Sequence, residues 1–215
     1  MDWLEALKQI SIIVALFVAI YGIDSWRRDH VGKRQIELAE DTLALFYEAV
    51  DAIKHIRHPA SYAHETEDIT KGEGESNEQY NARKNASVVF YRFNQYQELF
   101  NKIHASRYRF MAQIGKEQAK PFEDIRLVTN QIIGSARVLS RLWARDHFRT
   151  EEQWQKHQEQ VSKYEAVFWD EFDDEDQINV QLTEIIEAIE TTCKNVISGK
   201  GTLHGVLNTK LWKRS

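Results

Sequence analysis

The chain has little of what interrupts helices or cross-links a fold. Its 215 residues include only two prolines, Pro59 and Pro121, and one cysteine, Cys193. A single cysteine excludes an intrachain disulfide, which agrees with a reducing compartment. Glycine is sparse before the C-terminal tail, and no convincing strand pattern appears. The composition therefore allows long uninterrupted segments and favours an all-α fold.

Catalytic signatures are missing as well. The sequence has no Gly-x-Ser-x-Gly, no glycine-rich phosphate loop ending in Gly-Lys-Ser/Thr, and no His-Glu-x-x-His. The net charge of −5 argues against a general nucleic-acid binder. No histidine has a glutamate three positions before it, as carboxylate-bridged di-iron bundles require. We therefore expect no cofactor and no metal, and we lean toward a protein that is not an enzyme.

The nearest approach to a metal site is a group of histidines before and after Pro59. His55 and His58 are one helical turn apart, Asp51 precedes His55 by four residues, and His64 follows in a loop. Histidines at a helix end more often interact with the helix dipole than with a metal. The acidic run at 173–176 lacks the glycine and the spacing of an EF-hand loop. Neither group is therefore predicted to bind a metal.

What the sequence does have is one long apolar run near its N-terminus. Residues 10–23 read ISIIVALFVAIYGI, and no charged residue lies between Lys8 and Asp24. Extension to Trp3 and Trp26 gives a helix of roughly 35 Å, enough to cross a hydrocarbon core of ~30 Å. A tryptophan at each end suits the two membrane interfaces. We predict a transmembrane anchor, in which the residues singled out are Trp3, Ile10, Phe17 and Trp26.

A cleaved signal peptide or a helix buried in a soluble core would also contain an apolar run. A cleaved signal peptide needs a basic N-terminal region and a small-x-small cleavage site. Here Asp2 and Glu5 oppose Lys8, and the sequence from Ala19 to Tyr21 does not fit the cleavage rule. An N-terminal helix buried in a soluble core is the alternative that stays open.

Basic residues next to the run predict its orientation. Lys8 stands alone on the N-terminal side, whereas Arg27, Arg28, Lys33 and Arg34 follow the run. Short basic flanks stay in the cytoplasm. We therefore expect a single-pass protein of the cell (inner or plasma) membrane, with a short N-terminus outside and a cytoplasmic C-terminal domain.

A strip of small residues lies within the anchor. Its members are Ser11, Ala15, Ala19 and Gly22. Such strips let membrane helices approach closely, which predicts self-association. The alternative is that alanine is simply common in such helices. A pore lined by several anchors has less support, because only Lys8, Gln9 and Ser11 offer polarity.

Periodic apolar residues after the anchor predict an antiparallel bundle of about five helices. The segments are an anchor at 1–28, a juxtamembrane linker with the first bundle helix at 29–58, a loop at 59–75, a bundle at 76–199 and a basic tail at 200–215. The first seam is Ile36, Ala39, Leu43, Phe46, Val50 and Ile53. Arg57 falls off this seam, toward water. The loop carries no apolar period, so we expect it to be disordered rather than functional.

Capping signals mark the starts of the later helices. They are Ser76 with Gln79, Pro121, Thr150 with Gln153, and Asp174 with Gln177. One stripe from Ala82 to Ile114 predicts a single long helix that ends at Gly115, with Arg107 as its one charged intruder. Inward residues of the next two helices include Ile125, Ile132, Leu139, Trp143, Trp154, Val161 and Phe168.

Four arginines form a ladder on the predicted third bundle helix. They are Arg137, Arg141, Arg145 and Arg149, and four-residue spacing places them in one slanting row. Such a row suits phosphates, lipid head groups or an acidic partner. The alternative, which we favour, is a solvated face paired with neighbouring acidic residues such as Glu151, Glu152 or Glu159.

The segment from Arg141 to His147, RLWARDH, resembles the Arg-x(4–6)-His motif of HEPN-type ribonucleases, which are helical bundles. The resemblance implies that Arg141 and His147 act on an RNA backbone in a dimeric cleft, with Asp146 orienting the imidazole. The polar residue that this family prefers directly after the arginine is Leu142 here. Nucleic acid is a partner only under this alternative.

Taken together, the patterns predict a membrane-tethered cytoplasmic helical module for interaction or effector function. We expect it to be non-catalytic and to self-associate through the anchor and the first cytoplasmic helix. Its expected partners are the lipid bilayer, further copies of the chain and a protein that the sequence does not identify. The basic tail around Trp212 suits a membrane surface or a frayed terminus.

Overall fold

The computed structural model describes residues 3–144, 150–173 and 175–199, and for residues 4–10, 24, 27 and 28 it describes the backbone alone. Within these ranges the chain is all-helical and has no strand, as the composition predicts. The α-helices are α1 (Trp3–Arg57), α2 (Asn77–Gln95), α3 (Gln97–Gln113), α4 (Lys120–Leu142), α5 (Glu151–Phe168) and α6 (Gln177–Ile197). Two 3₁₀ turns, Ala63–Thr66 and Glu117–Ala119, lie between them.

The longest element is α1, which continues without a break from the apolar run into the bundle. At 55 residues it is about 80 Å long. Gly32 lies inside the helix, and a Cβ atom placed there would meet nothing within 4 Å. No proline or competing cap interrupts this region. The predicted juxtamembrane linker is therefore helical in this structure.

The C-terminal half of α1 packs against the rest of the bundle. Among the side chains that the structure describes, Leu38 and Ala39 are the first buried ones, and Phe46, Ile53 and Ile56 continue the buried face. The spacing of three or four residues places these side chains on one side of the helix. They pack against α2, α3 and α6, whereas α4 contacts α2, α5 and α6. The core therefore lies at the C-terminal end of α1.

The predicted long helix from 76 to 114 is divided in two. Tyr96, at φ −103° and ψ 9°, separates α2 from α3. The apolar stripe keeps its phase across this break, so Val89, Leu99, Ile103 and Phe110 still enter one core. The chain leaves α3 through Gly115, whose φ of +155° favours glycine.

The helix starts agree with two of the capping predictions. Both hydrogen bonds of the Ser76–Gln79 box form, and the Thr150 hydroxyl accepts a hydrogen bond from the Gln153 amide. The start of α6 differs from the prediction. Its N-cap is Asp176, whose carboxylate accepts hydrogen bonds from the Ile178 and Asn179 amides. Asp174 lies outside the described residues.

Within the described part of the chain, no helix meets the length and apolarity needed to cross a bilayer.

Candidate functional site

The N-terminal half of α1 carries an apolar surface that the bundle does not cover. Every side chain from 11 to 23 is exposed, and Phe17 is 74% exposed. Trp3 and Trp26 are 71% and 68% exposed. A helix that is apolar on all sides is normally found inside a protein core or a membrane. We call residues 11–23 the bare apolar segment.

The predicted strip of small residues lies on this segment. Ser11, Ala15, Ala19 and Gly22 are all exposed, and an added Cβ at Gly22 would have open space around it. Four-residue spacing keeps neighbouring members on the same side of the helix. The strip is therefore accessible to a second helix, although self-association stays a prediction.

Polar side chains follow the bare apolar segment. The Trp26 and His30 rings stack with centroids 5.5 Å apart and planes 10° apart. Lys33 and Arg34 are exposed one turn further on. The character of α1 thus changes from apolar to basic before its first buried residue, Leu38.

The arginine ladder is described only in its first half. Arg137 and Arg141 are exposed on α4, and neither forms an ion pair with an acidic residue of the described ranges. Arg145 and Arg149 lie outside the described residues. Whether the row binds an anion or a partner stays a prediction.

The ribonuclease-like motif is likewise only partly visible. Arg141 is exposed in the last turn of α4, whereas Asp146 and His147 lie outside the described residues. The distance between the two proposed catalytic groups is therefore untested. In the similarly spaced pair Arg57 and His64, Arg57 is buried in an ion pair with Asp176 and His64 packs on tyrosines.

The histidines near Pro59 do not converge. His55 lies 3.1 Å from the Tyr96 hydroxyl, and burial together with the nearby Arg92 lowers the pKa of His55. The His58 ring meets Phe172, and the His64 ring lies between Tyr62 and Tyr91. No group of three metal-ligating side chains forms among the described residues.

Arg57 corrects one prediction, because the sequence places it toward water and the structure buries it. The guanidinium is 1% exposed. Its Nη1 and Nη2 atoms donate to the two Asp176 oxygens at 3.0 and 2.7 Å. Its Nε and Nη2 also donate to the Val167 and Ala166 carbonyls. Arg57 therefore joins the end of α1 to the end of α5 and the start of α6.

The electrostatics of this pair favour ionised Asp176. Burial by itself raises the pKa of the Asp176 carboxyl. Hydrogen bonds from Arg57 and from backbone amides outweigh burial, so the pKa lies below its ordinary value. The charge on Asp176 is thus maintained at neutral pH.

A second buried arginine contacts the first half of the loop at 59–75, for which the sequence predicts disorder. Arg92 of α2 is 1% exposed and donates to both Glu65 oxygens, at 2.6 and 2.9 Å. It also donates to the carbonyls of His58 and Ala60, each at 2.6 Å. These bonds pin the first half of the loop to α2. The hydrogen bond from Arg92 also lowers the pKa of Glu65.

The second half of the same loop is held at the surface. Arg83 donates to both oxygens of Glu75 and to the Thr70 carbonyl. Hydrogen bonds from Arg83 and from the Gly72 amide lower the pKa of Glu75 to about 2. The Tyr80 hydroxyl donates to the Ile69 carbonyl. The loop is therefore hydrogen-bonded to α2 at several points.

Sequence reasoning did not find the Arg57–Asp176 and Arg92–Glu65 pairs. Their partners lie 119 and 27 residues apart in the chain. The only local signal was Arg92 itself, which stands one turn beyond the buried Val88 and Val89. A charged residue at such a position indicates a buried partner but does not identify it.

Comparison with protein-family models, with curated proteins and with solved structures finds no match to this chain.

Proposed function

We propose that the protein is a membrane-tethered helical module that binds other proteins, including copies of itself, and that it is not an enzyme. The observation that carries this proposal is the bare apolar segment at 11–23, which is exposed on every side and is continuous with a bundle of mostly polar surface. Such a segment needs an apolar environment, and the chain's own bundle does not supply one.

Burying the apolar side chains of this segment would release a large free energy. Fully burying one valine, leucine, isoleucine or phenylalanine side chain contributes about 1.5–3 kcal/mol. The segment exposes many such side chains, including Ile12, Ile13, Leu16 and Phe17. Leaving these side chains in water lowers the solubility of the chain. Exposed apolar patches of this extent mark protein-interaction or membrane sites.

A bilayer is the environment that fits the sequence around the segment. Residues 11–23 alone would cover roughly 20 Å, less than the ~30 Å hydrocarbon core. The proposal therefore takes in the apolar sequence back to Trp3 and forward to Trp26. A tryptophan at each end supports a membrane span, because aromatic residues are typical of both membrane interfaces. The basic residues from Arg27 to Arg34 support a cytoplasmic bundle, because the positively charged flank of a single span is typically cytoplasmic.

The continuous helix sets the position of the bundle. From Trp26 to the first buried residue, Leu38, α1 rises about 18 Å. The bundle would thus stand clear of the lipid head groups while remaining rigidly attached. This geometry suits a module that presents its surface to partners at a fixed height.

Membrane attachment is tested by fractionating cells that express the full chain. We expect the protein in the membrane pellet, resistant to alkaline carbonate and released by detergent. Val14→Asp together with Val18→Asp should move it to the soluble or aggregated fraction, because charges in a bilayer core are costly. Leu127→Asp, at an exposed site on α4, is the matched control and should stay in the pellet. A full-length chain that behaves as a discrete soluble particle without detergent would overturn the proposal.

A further inference from the structure

The bundle has an open cavity, and three of its ten described lining residues are tryptophans. The chain has six tryptophans. Three of them, Trp143, Trp154 and Trp169, line one cavity of about 640 Å³. The sequence places Trp143 and Trp154 in the core, but all three side chains are only half-buried. The volume is within the range of small-molecule sites, about 300–1,000 Å³.

The three indoles come from different places in the fold. Trp143 follows the last residue of α4, Trp154 is in the first turn of α5, and Trp169 follows the last residue of α5. The Trp143 and Trp169 rings are nearly parallel, with planes 21° apart and centroids 6.3 Å apart. Phe168 packs edge-on against both rings from the core side. The aromatic wall is therefore fixed by packing behind it.

One carboxylate stands in this wall. Glu165 Oε1 accepts a hydrogen bond of 2.7 Å from Trp143 Nε1, which fixes the position of the carboxylate beside the indole. No lysine or arginine of the described residues forms an ion pair with Glu165. The other polar side chains along the cavity, such as Ser61, Asn85 and Ser162, are neutral. Among the described lining residues the cavity carries a single negative charge.

We propose that this cavity binds a small organic cation with an alkylated ammonium group, of the size and polarity of choline. Indole faces attract such cations more strongly than other aromatic rings do, and the attraction grows when water is excluded. A fixed carboxylate adds a charge of the complementary sign. The neutral polar side chains suit the hydroxyl or amide of the rest of the ligand.

The position of the cavity indicates a soluble source for this cation. Pro59 and Ser61, which line it, follow the end of α1 that is opposite the bare apolar segment. That end of the helix, Arg57, lies about 46 Å beyond Trp26 along the helix axis. A lipid head group of the membrane in which α1 is proposed to sit is too far away to enter. This one step depends on the proposed function, whereas the cation site itself does not.

The test is titration of choline into the full chain in a non-ionic maltoside detergent, followed by tryptophan fluorescence and calorimetry. We expect saturable binding with a Kd near or below about 1 mM. The uncharged isostere 3,3-dimethylbutan-1-ol should bind at least about tenfold more weakly, because it has the same shape without the charge. Equal binding of the two compounds, or no saturable binding of choline, would overturn the proposal.

Variants separate the contributions to binding. Glu165→Gln keeps an acceptor for Trp143 and removes the charge, and it should weaken choline binding about tenfold. Glu159→Gln, at an exposed position of the same helix, is the matched control and should leave the Kd unchanged. Trp154→Leu should weaken binding, whereas Trp154→Phe should retain most of it. A Glu165→Gln protein that is folded by circular dichroism and binds choline with the parental Kd would contradict the site.

The source of the cation is tested in nanodiscs. In phosphatidylglycerol discs, choline should bind as in detergent, and added phosphatidylcholine should not compete. Competition by phosphatidylcholine would reject the soluble source while leaving the cation site in place. Failure of membrane attachment in the fractionation experiment would leave the choline titration unaffected, so the two proposals fail separately.

Discussion

Two arginines determine how the ends of the helices meet. Arg57 and Arg92 are both about 1% exposed, and each donates to a carboxylate and to several backbone carbonyls. Removing one partner of a buried pair is far more costly than replacing the whole pair, because the remaining charge is left without compensation. The stability of the bundle therefore depends strongly on a few single side chains.

The first expected outcome concerns Asp176→Asn. The substitution leaves the Arg57 guanidinium buried with a weaker partner and should lower the free energy of unfolding by about 3–5 kcal/mol. Glu152→Gln is the matched control, because the Lys156–Glu152 pair is 75% and 80% exposed. It should cost less than about 0.5 kcal/mol. Urea unfolding of the full chain in detergent, followed by circular dichroism, measures both, and equal losses would contradict the structure.

The same carboxylates predict how stability depends on pH. The folded-state pKa values of Glu65 and Asp176 are both lowered. Their contributions are therefore complete above the unfolded values of about 4.3 and 3.9 and are lost as the pH falls through the lower folded values. We expect the free energy of unfolding to decline below about pH 4.5, with a shallower decline in Asp176→Asn. An unchanged slope in that variant would show that Asp176 is not the linked group.

At the scale of the element, α1 is the feature that most distinguishes this chain. Its apolar and amphipathic halves are joined through Gly32 without a cap or a break. Glycine inside a helix costs about 1 kcal/mol relative to alanine, and proline costs about 3 kcal/mol or more. A single substitution at Gly32 can therefore change the angle between the apolar and the amphipathic half of α1.

A distance measurement tests the continuity of α1. Spin labels at Tyr21→Cys and Glu48→Cys, both exposed positions, should lie about 40 Å apart with a narrow distribution. Gly32→Pro should shorten and broaden the distribution, whereas Gly32→Ala should preserve it, because an added Cβ meets nothing there. The native Cys193 should not be labelled, since it is buried and burial raises the pKa of its thiol to about 11. A broad distribution in the parent would contradict a continuous helix.

The helices were predictable from sequence to different degrees, for physical reasons. Seams such as Ala39, Phe46 and Ile53 follow a local period, and they are buried as expected. The break at Tyr96 was not predictable, because the apolar stripe keeps its phase through it. The burial of Arg57 and the path of the loop at 59–75 were not predictable from the sequence. Both depend on ion pairs between residues far apart in the chain, and no local period reveals such pairs.

The candidate sites were predictable to a smaller extent. The apolar run and its strip of small residues were visible in the sequence, because both are local patterns. The tryptophan cavity was not, since inward-facing tryptophans are usually core residues and Glu165 is one of many glutamates. Only the fold places the indoles and the carboxylate together.

For the whole molecule, the exposed strip of small residues bears on how copies of the chain assemble. The small strip on the bare apolar segment is exposed along its length, and nothing in the described bundle competes for it. Helices in a membrane associate where small side chains let backbones approach closely. The part of self-association that is predicted to run through the anchor should therefore depend on this strip.

The mass of the detergent-solubilised protein tests this dependence. We expect the full chain to be an oligomer and a chain lacking residues 1–30 to be a monomer. Ala15→Leu with Gly22→Leu should reduce association by filling the strip, whereas Ile13→Leu, which keeps the side-chain volume, should have no effect. Monomeric behaviour of both the full and the shortened chain would reject self-association through the anchor.

The unbroken α1 also has a mechanical consequence. Membrane spans tilt by about 20° on average. Between Trp26 and Arg57 the helix extends about 46 Å, so a change of tilt by that angle would carry the far end of the bundle sideways by about 16 Å. In a tethered chain of this design, bilayer thickness and neighbouring spans would directly set the position of the bundle's exposed surface.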